Sequence, residues 1–208
     1  MKKHKLFRLE AALIAGVIAV LFSGIWLQEE QSKLADQMIR LHVIANSDRE
    51  EDQKLKLAVR DRILEVSREI YPSDYVNRKQ AESLLRQRLD ELEQAGAQVV
   101  KQAGYSYPVH AELTQCWFPT KEYDDFALPA GKYTALRVVI GEGEGKNWWC
   151  VAFPPLCVGA ASQTVEWAEQ AGYFTSEQAQ LMTKEGEGYI LKFYGMELLG
   201  KIQGELTQ

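Results

Sequence analysis

Seventeen consecutive uncharged residues, Ala11 to Leu27 (AALIAGVIAVLFSGIWL), follow a basic head of Lys2, Lys3, Lys5 and Arg8 and stop before Glu29 and Glu30. A helix apolar on every side has no face to turn to water, so it belongs in a membrane or in a core. At the N-terminus and behind bases, the run reads as an export segment, with a buried core helix as the alternative. The bases stay on the cytoplasmic side and everything after Leu27 is delivered across. As a helix the run is about 25 Å long, between a signal-peptide core and a full span. A cleavage site wants small residues at −1 and −3, but Leu21 lies at −3 behind Ser23 and Phe22 behind Gly24. Residues 1–28 are therefore a signal anchor or a removed signal peptide, and residues 29–37 a polar stalk.

The remaining 180 residues suffice for one domain with a real core. Hydrophobic residues make up 46% and charged residues 25% of the chain, a globular composition. Net charge is −5, and the first ten residues hold four bases and one acid, so the exported part carries −8. That charge opposes nucleic acid and anionic membrane surfaces as partners.

Periodicity gives the elements. Met38 to Ala45 (MIRLHVIA) alternates as a strand, with Ile39, Leu41, Val43 and Ala45 on one side and Arg40, His42 and Ile44 on the other. Ser47 and Glu50 have capping-box spacing and open a helix with Leu55, Val59, Ile63, Val66 and Ile70 on one face, ended by Pro72. A second helix is expected from Arg78 to Ala103, striped by Leu85, Leu89, Leu92, Ala95 and Val99 and capped by Gly104. Tyr107 to Phe118 reads as a strand and Pro119 to Gly131 as a loop. Tyr133 to Ile140 and Asn147 to Phe153 read as a hairpin joined by the flexible tip Gly141-Glu142-Gly143-Glu144-Gly145-Lys146. Helices are expected at Ser162 to Gly172 and Ser176 to Lys184, the latter with a Thr175/Gln178 capping box. A strand at Tyr189 to Tyr194 and a short helix at Met196 to Ile202 follow. The fold class is α+β: a strand, two long amphipathic helices packed on a sheet, and an antiparallel sheet. The domain runs over 38–158, with 159–208 as its C-terminal extension.

The chemistry in these segments is sparse. Gly141-x-Gly143-x-Gly145-Lys146-Asn147 is not a phosphate loop: Ile140 and Asn147 stand where Gly and Ser/Thr are required, and a strand follows in place of a helix N-terminus. No Gly-x-Ser-x-Gly elbow occurs, and His4, His42 and His110 lack metal-ligand spacing, so neither a metal nor a cofactor is expected. Cys150 or Cys157 with His42 or His110 supplies the ingredients of a thiol hydrolase. A Cys150–Cys157 disulfide across Pro154-Pro155 accounts for the same residues and leaves Cys116 as a buried thiol. His42, Asn46, Ser47 and Asp48 occupy a strand-to-helix turn, where polar groups either cap the helix or meet a ligand. Trp148 and Trp149 point to opposite faces of their strand, so one is free to meet another protein.

Residues 39–65 (IRLHVIANSDREEDQKLKLAVRDRILE), 118–123 (FPTKEY) and 128–157 (LPAGKYTALRVVIGEGEGKNWWCVAFPPLC) closely resemble the motifs of the stage II sporulation protein R family, in the same order. The resemblance covers most of 38–158. It implies a signalling protein made in the forespore of an endospore-forming bacterium and exported across its membrane into the intermembrane space. There it triggers a membrane-embedded aspartic protease that processes the mother-cell sigma-factor precursor. On this reading the chain is a ligand, not an enzyme, and no catalytic residue is implied. The candidate contacts are His42, Asn46, Asp48, Glu142, Glu144, Lys146, Asn147, Trp148 and Trp149. An exported thiol hydrolase and an anchored structural protein are the other readings.

Overall fold

The computed structural model describes residues 13–16, 18, 29, 31–71, 76–123, 126–156 and 164–183. Of the expected export segment, residues 13–16 and 18 are helical and the rest lies outside the described residues. Among those described, no helix is long and apolar enough to cross a membrane. The elements are β1 (Ile39–Ile44), α1 (Glu50–Ile70), α2 (Arg78–Gln87), α3 (Leu89–Gln102), β2 (Val109–Phe118), β3 (Lys121–Glu122), β4 (Ala127–Leu128), β5 (Gly131–Ile140), β6 (Asn147–Phe153), α4 (Val165–Gln170) and α5 (Ser176–Met182). The fold is α+β. The strand expected at 189–194 and the helix at 196–202 lie outside the described residues.

The sheet order is β2-β5-β1-β6, and this corrects the expected hairpin. β5 and β6 do not pair; β1 lies between them, parallel to β5 (Leu41 beside Leu136) and antiparallel to β6 (Leu41 beside Cys150). The other strand pairs are antiparallel, β2 with β5 and β3 with β4. A central strand is covered on both faces and rewards apolar residues throughout. That is why Ile39, Leu41, Val43 and Ile44 are all buried.

One face of the sheet carries α1, α2 and α3. Val59 and Ile63 of α1, Leu85 of α2 and Leu92 of α3 meet Ile39, Leu41, Val43, Leu136 and Val138 in one core. Each fully buried aliphatic chain contributes about 1.5–3 kcal/mol of transfer free energy. Glu50, Glu51 and Asp52 stand in the first turn of α1, against the positive end of its dipole. The N-cap is Arg49, with no side-chain cap, so the Ser47/Glu50 capping box does not form. Asn77 and Gln80 form a capping box at α2 that was not expected from the sequence.

The second helix is also two helices. Arg88 leaves helical geometry (φ −117°, ψ 17°), and its N–H bonds to Leu85 O at 3.1 Å, a three-residue turn in place of the helical four. α3 ends as expected at Gly104 (φ 85°), with Tyr105 N–H donating to Val100 O and Gly104 N–H to Lys101 O. The expected loop 119–131 contains the small β3–β4 ribbon and the start of β5.

The opposite face is covered over part of its length. Leu34, Ala35 and Met38 from the entering chain, Phe126 and Leu128, and Val165, Ala168, Phe174 and Met182 of the α4–α5 region pack with Phe118, Tyr133 and Val151. α5 opens on the Thr175/Gln178 capping box read from the sequence. Arg40 lies at the centre of this core, fully buried. Its guanidinium stacks 4.3 Å from the Phe118 ring centroid and 5.0 Å from that of Tyr133. Its Nε donates to Cys150 O and its Nη2 to the Tyr123 hydroxyl, both at 2.9 Å. Among the described residues no carboxylate pairs with it. Burying a charge costs several kcal/mol, offset here by two ring faces and two hydrogen bonds.

The strand order has a direct test. With β1 bonded along both edges, successive β1 amides, Leu41 to Ile44, will all exchange with deuterium at rates set by global unfolding. A β5–β6 hairpin with β1 at an edge would leave every second β1 amide fast.

Candidate functional site

The C-terminal end of β1 is where the sequence-derived residues converge. The chain leaving β1 turns through Ala45 to Arg49, and the glycine-rich 141–146 segment crosses over it to reach β6. The two are joined backbone to backbone: Glu144 N–H donates to Asn46 O (3.2 Å) and Gly145 N–H to Ala45 O (2.9 Å). Side chains complete the clasp. Asn46 Oδ1 accepts from Glu142 N–H at 3.1 Å, and Asp48 Oδ1 accepts from Lys146 N–H at 2.8 Å. Lys56, reaching up from α1, donates to Lys146 O at 2.9 Å and to Gln53 Oε1 at 2.7 Å. Burial lowers the Lys56 ammonium's pKa, partly opposed by Asp48.

The glycines are therefore a condition of close approach, not a flexible tip. A Cβ at Gly145 would lie 2.3 Å from Ser47 O. At Gly141 it would lie 2.1 Å from Asn46 Oδ1, and there φ is +60°, a conformation costly for other residues.

Asp52 anchors the turn from below, with its side chain out of solvent. Its Oδ2 accepts from Ser47 Oγ (2.5 Å), Asn46 Nδ2 (2.9 Å) and Arg49 Nη2 (3.3 Å). Burial alone would raise this carboxyl; the three donors hold it below its usual range. Ser47 thus serves an acid within the first turn of α1 instead of capping the helix, which is why the capping box is absent.

Beside the clasp, the second sheet face is half uncovered. His42, Trp149, Arg137, Val139 and Glu112 are partly exposed there and Asn147 is exposed. His42 Nε2–H donates to Asn147 Oδ1 at 2.8 Å, and its ring lies 6.0 Å from Trp149 and 5.9 Å from Phe118. Arg137 Nη1 bonds Glu112 Oε1 at 2.8 Å on the neighbouring strands. Burial is the main influence on the His42 imidazole and pushes its pKa down. Asn147 opposes this, while the guanidiniums of Arg137 and Arg40 add to it. Burial thus favours the neutral ring.

The nine sequence-derived contacts thus fall into three places. Asn46, Asp48, Glu142, Glu144 and Lys146 form the clasp. His42, Asn147 and Trp149 meet on the open face. Trp148 stands apart on the helix side, packed against the core with the Arg60 guanidinium 4.5 Å over its ring. Asp52, Lys56, Arg137 and Glu112 were not singled out from sequence, because an acid in a helix's first turn and charges on a strand read as solvated surface. Among the described residues Trp117 is the exposed tryptophan, 41% accessible, and no periodicity signals it.

Cys150 is disulfide-bonded and buried; Cys157, its expected partner, lies outside the described residues. Cys116 is a free, half-buried thiol, not a fully buried one, and burial raises its pKa. Cys150 pairs with Leu41 and so faces the helices, whereas His42 and His110 stand on the other side of the sheet. A Cys150–His42 or Cys150–His110 couple is not assembled. Among the described residues, no group of three His, Cys, Asp or Glu side chains could hold a metal ion.

The architecture is an α+β scaffold that presents a rigid turn and a half-open sheet face. The family model of Stage II sporulation protein R matches residues 35–163, and the chain belongs to that family. It is similar to the Stage II sporulation protein R of Bacillus subtilis (strain 168), with 37% identity over 126 residues that make up 60% of this chain and 55% of the relative. The match thus spans about half of that relative's length. No solved structure matches.

Two outcomes are expected. Asp52→Ala leaves the turn's donors without their acceptor and will lower stability by about 1–3 kcal/mol in urea unfolding at pH 7. The His42 resonance in an NMR titration will move below the ordinary 6.5. A depressed histidine favours the folded state above its unfolded pKa, so that contribution is lost as pH falls from about 6.5 toward the folded value.

Proposed function

We propose that this chain is an exported sporulation signalling protein. It activates, by protein–protein contact, a membrane-embedded aspartic protease that processes a sigma-factor precursor. The observation that carries the reading is the family match over residues 35–163. The basic head and apolar run of residues 1–28 support delivery across the forespore membrane into the intermembrane space, tethered there if the segment stays uncleaved. The acidic balance of the exported part suits a protein partner better than nucleic acid.

The contact surface is the clasp together with the open face beside it. Trp149 and His42 supply a large ring area at low entropic cost, next to Asn147 and the Arg137–Glu112 pair. The clasp holds Asp48, Glu142, Glu144 and Lys146 in one arrangement before binding, which reduces the ordering cost of association. Activation then equals the difference in affinity for the protease's active and inactive states.

Trp149→Ala, in a chain that folds normally, will reduce precursor processing about tenfold or more in sporulating cells, read by immunoblot. Trp148→Ala will act through stability instead, with processing restored at lower temperature. Undiminished processing by the Trp149 variant sinks the contact assignment. A Cys157→Ser chain that folds and supports processing fits a ligand; one that folds and fails points to thiol chemistry.

A further inference from the structure

Among the described residues β2 is an outer strand of the sheet, and they protect only part of its outer edge. Ala111 turns its N–H away from β5 and donates it to Glu93 Oε2 at 3.0 Å, so a side chain from α3 blocks the edge there. In an antiparallel ladder, alternate residues face the same way. Leu113, Gln115 and Trp117 therefore also turn their N–H and C=O groups outward. Among the described residues nothing bonds these groups. Leu113 to Phe118 (LTQCWF) carries no charge, no proline and no bulge, the devices that usually keep an edge from pairing. Trp117, 41% exposed, stands on it.

We propose that this edge binds the same edge of a second copy of the chain. The two β2 strands run antiparallel about a two-fold axis at Cys116 and join their sheets. A two-fold contact requires the segment to be its own complement. Pairing at Cys116 sets Trp117 opposite the partner's Gln115, and Gln115 opposite the partner's Trp117, on the same face. Both pairs exchange outward N–H and C=O groups. No like charges meet. Pro119 follows the segment and, lacking an N–H, limits the ladder. Glu93 on Ala111 limits it at the other end. Cys116 itself points its backbone to β5, so across the new edge it occupies a non-hydrogen-bonded site. Such sites bring Cα atoms to about 4.5 Å, within disulfide reach. This inference stands apart from the proposed protease contact, which centres on the C-terminal end of β1 and touches β2 only at Glu112.

The test is sedimentation velocity on the full chain in mild detergent, followed by oxidation with diamide. That azo oxidant takes up two electrons and two protons as one Sγ–Sγ bond forms between two Cys116 thiols. The chain is expected to sediment as a dimer and to be trapped covalently. Trp117→Lys will weaken the dimer about tenfold or more, because each substitution counts twice across the axis. Gln115→Pro will do the same without removing a β2–β5 bond, since that N–H faces outward. Circular dichroism identifies which of the two variants remains folded. Thr114→Cys combined with Cys116→Ser moves the thiol four strand positions from its own copy and will not bridge. A monomer up to the solubility limit, a dimer indifferent to both substitutions in folded chains, or bridging from position 114 as fast as from 116 each overturns the proposal. A monomer whose β2 amides become protected only when the protease is added would assign the edge to that partner instead.

Discussion

β1 is hydrogen-bonded on both edges, to β5 on one side and β6 on the other. Everything at the candidate site follows from that insertion. Strands joined by six residues would ordinarily close as a hairpin; with a third strand between them, their connection must pass over its end. The segment 141–146 therefore lies directly on the turn that leaves β1, and the backbone bonds at Ala45 and Asn46 are the result. The glycines, the buried Asp52 and the reach of Lys56 are all adjustments to that crossing.

The same insertion divides chemistry between the two faces. Residues 41 and 150 turn toward the helices and residues 42 and 149 away from them. The disulfide-bonded Cys150 is thus separated from the histidines, while Trp149 joins His42. One register decides at once that a thiol–imidazole couple is not formed at Cys150 and that an aromatic–polar patch is.

Local elements were legible in the sequence because local physics sets them. The alternation of 38–45, the stripe Leu55–Val59–Ile63, the left-handed Gly104 and the Thr175/Gln178 box all stand where expected. What escaped depends on distant partners. The parallel pairing of β1 with β5 leaves no local mark, since a buried central strand and one arm of a hairpin show the same apolar run. The break at Arg88 has no Gly or Pro to announce it. Ser47 has an acid at capping distance, Glu50, and another at Asp52; only burial of the second decides which it serves. Of the candidate contacts, the sequence supplies the residues alone; their gathering into the clasp and the His42–Asn147–Trp149 group, and the separation of Trp148 from both, come from the sheet.

The strand that enters first is completed last. β1 leaves any translocation machinery ahead of the helices, yet its two neighbours end at Ile140 and Phe153. Long-range pairing of this kind forms late and slowly. On the export route proposed above, a chain emerging N-terminal part first would stay open until about three quarters of it had crossed, and the topology would defer folding to the far side.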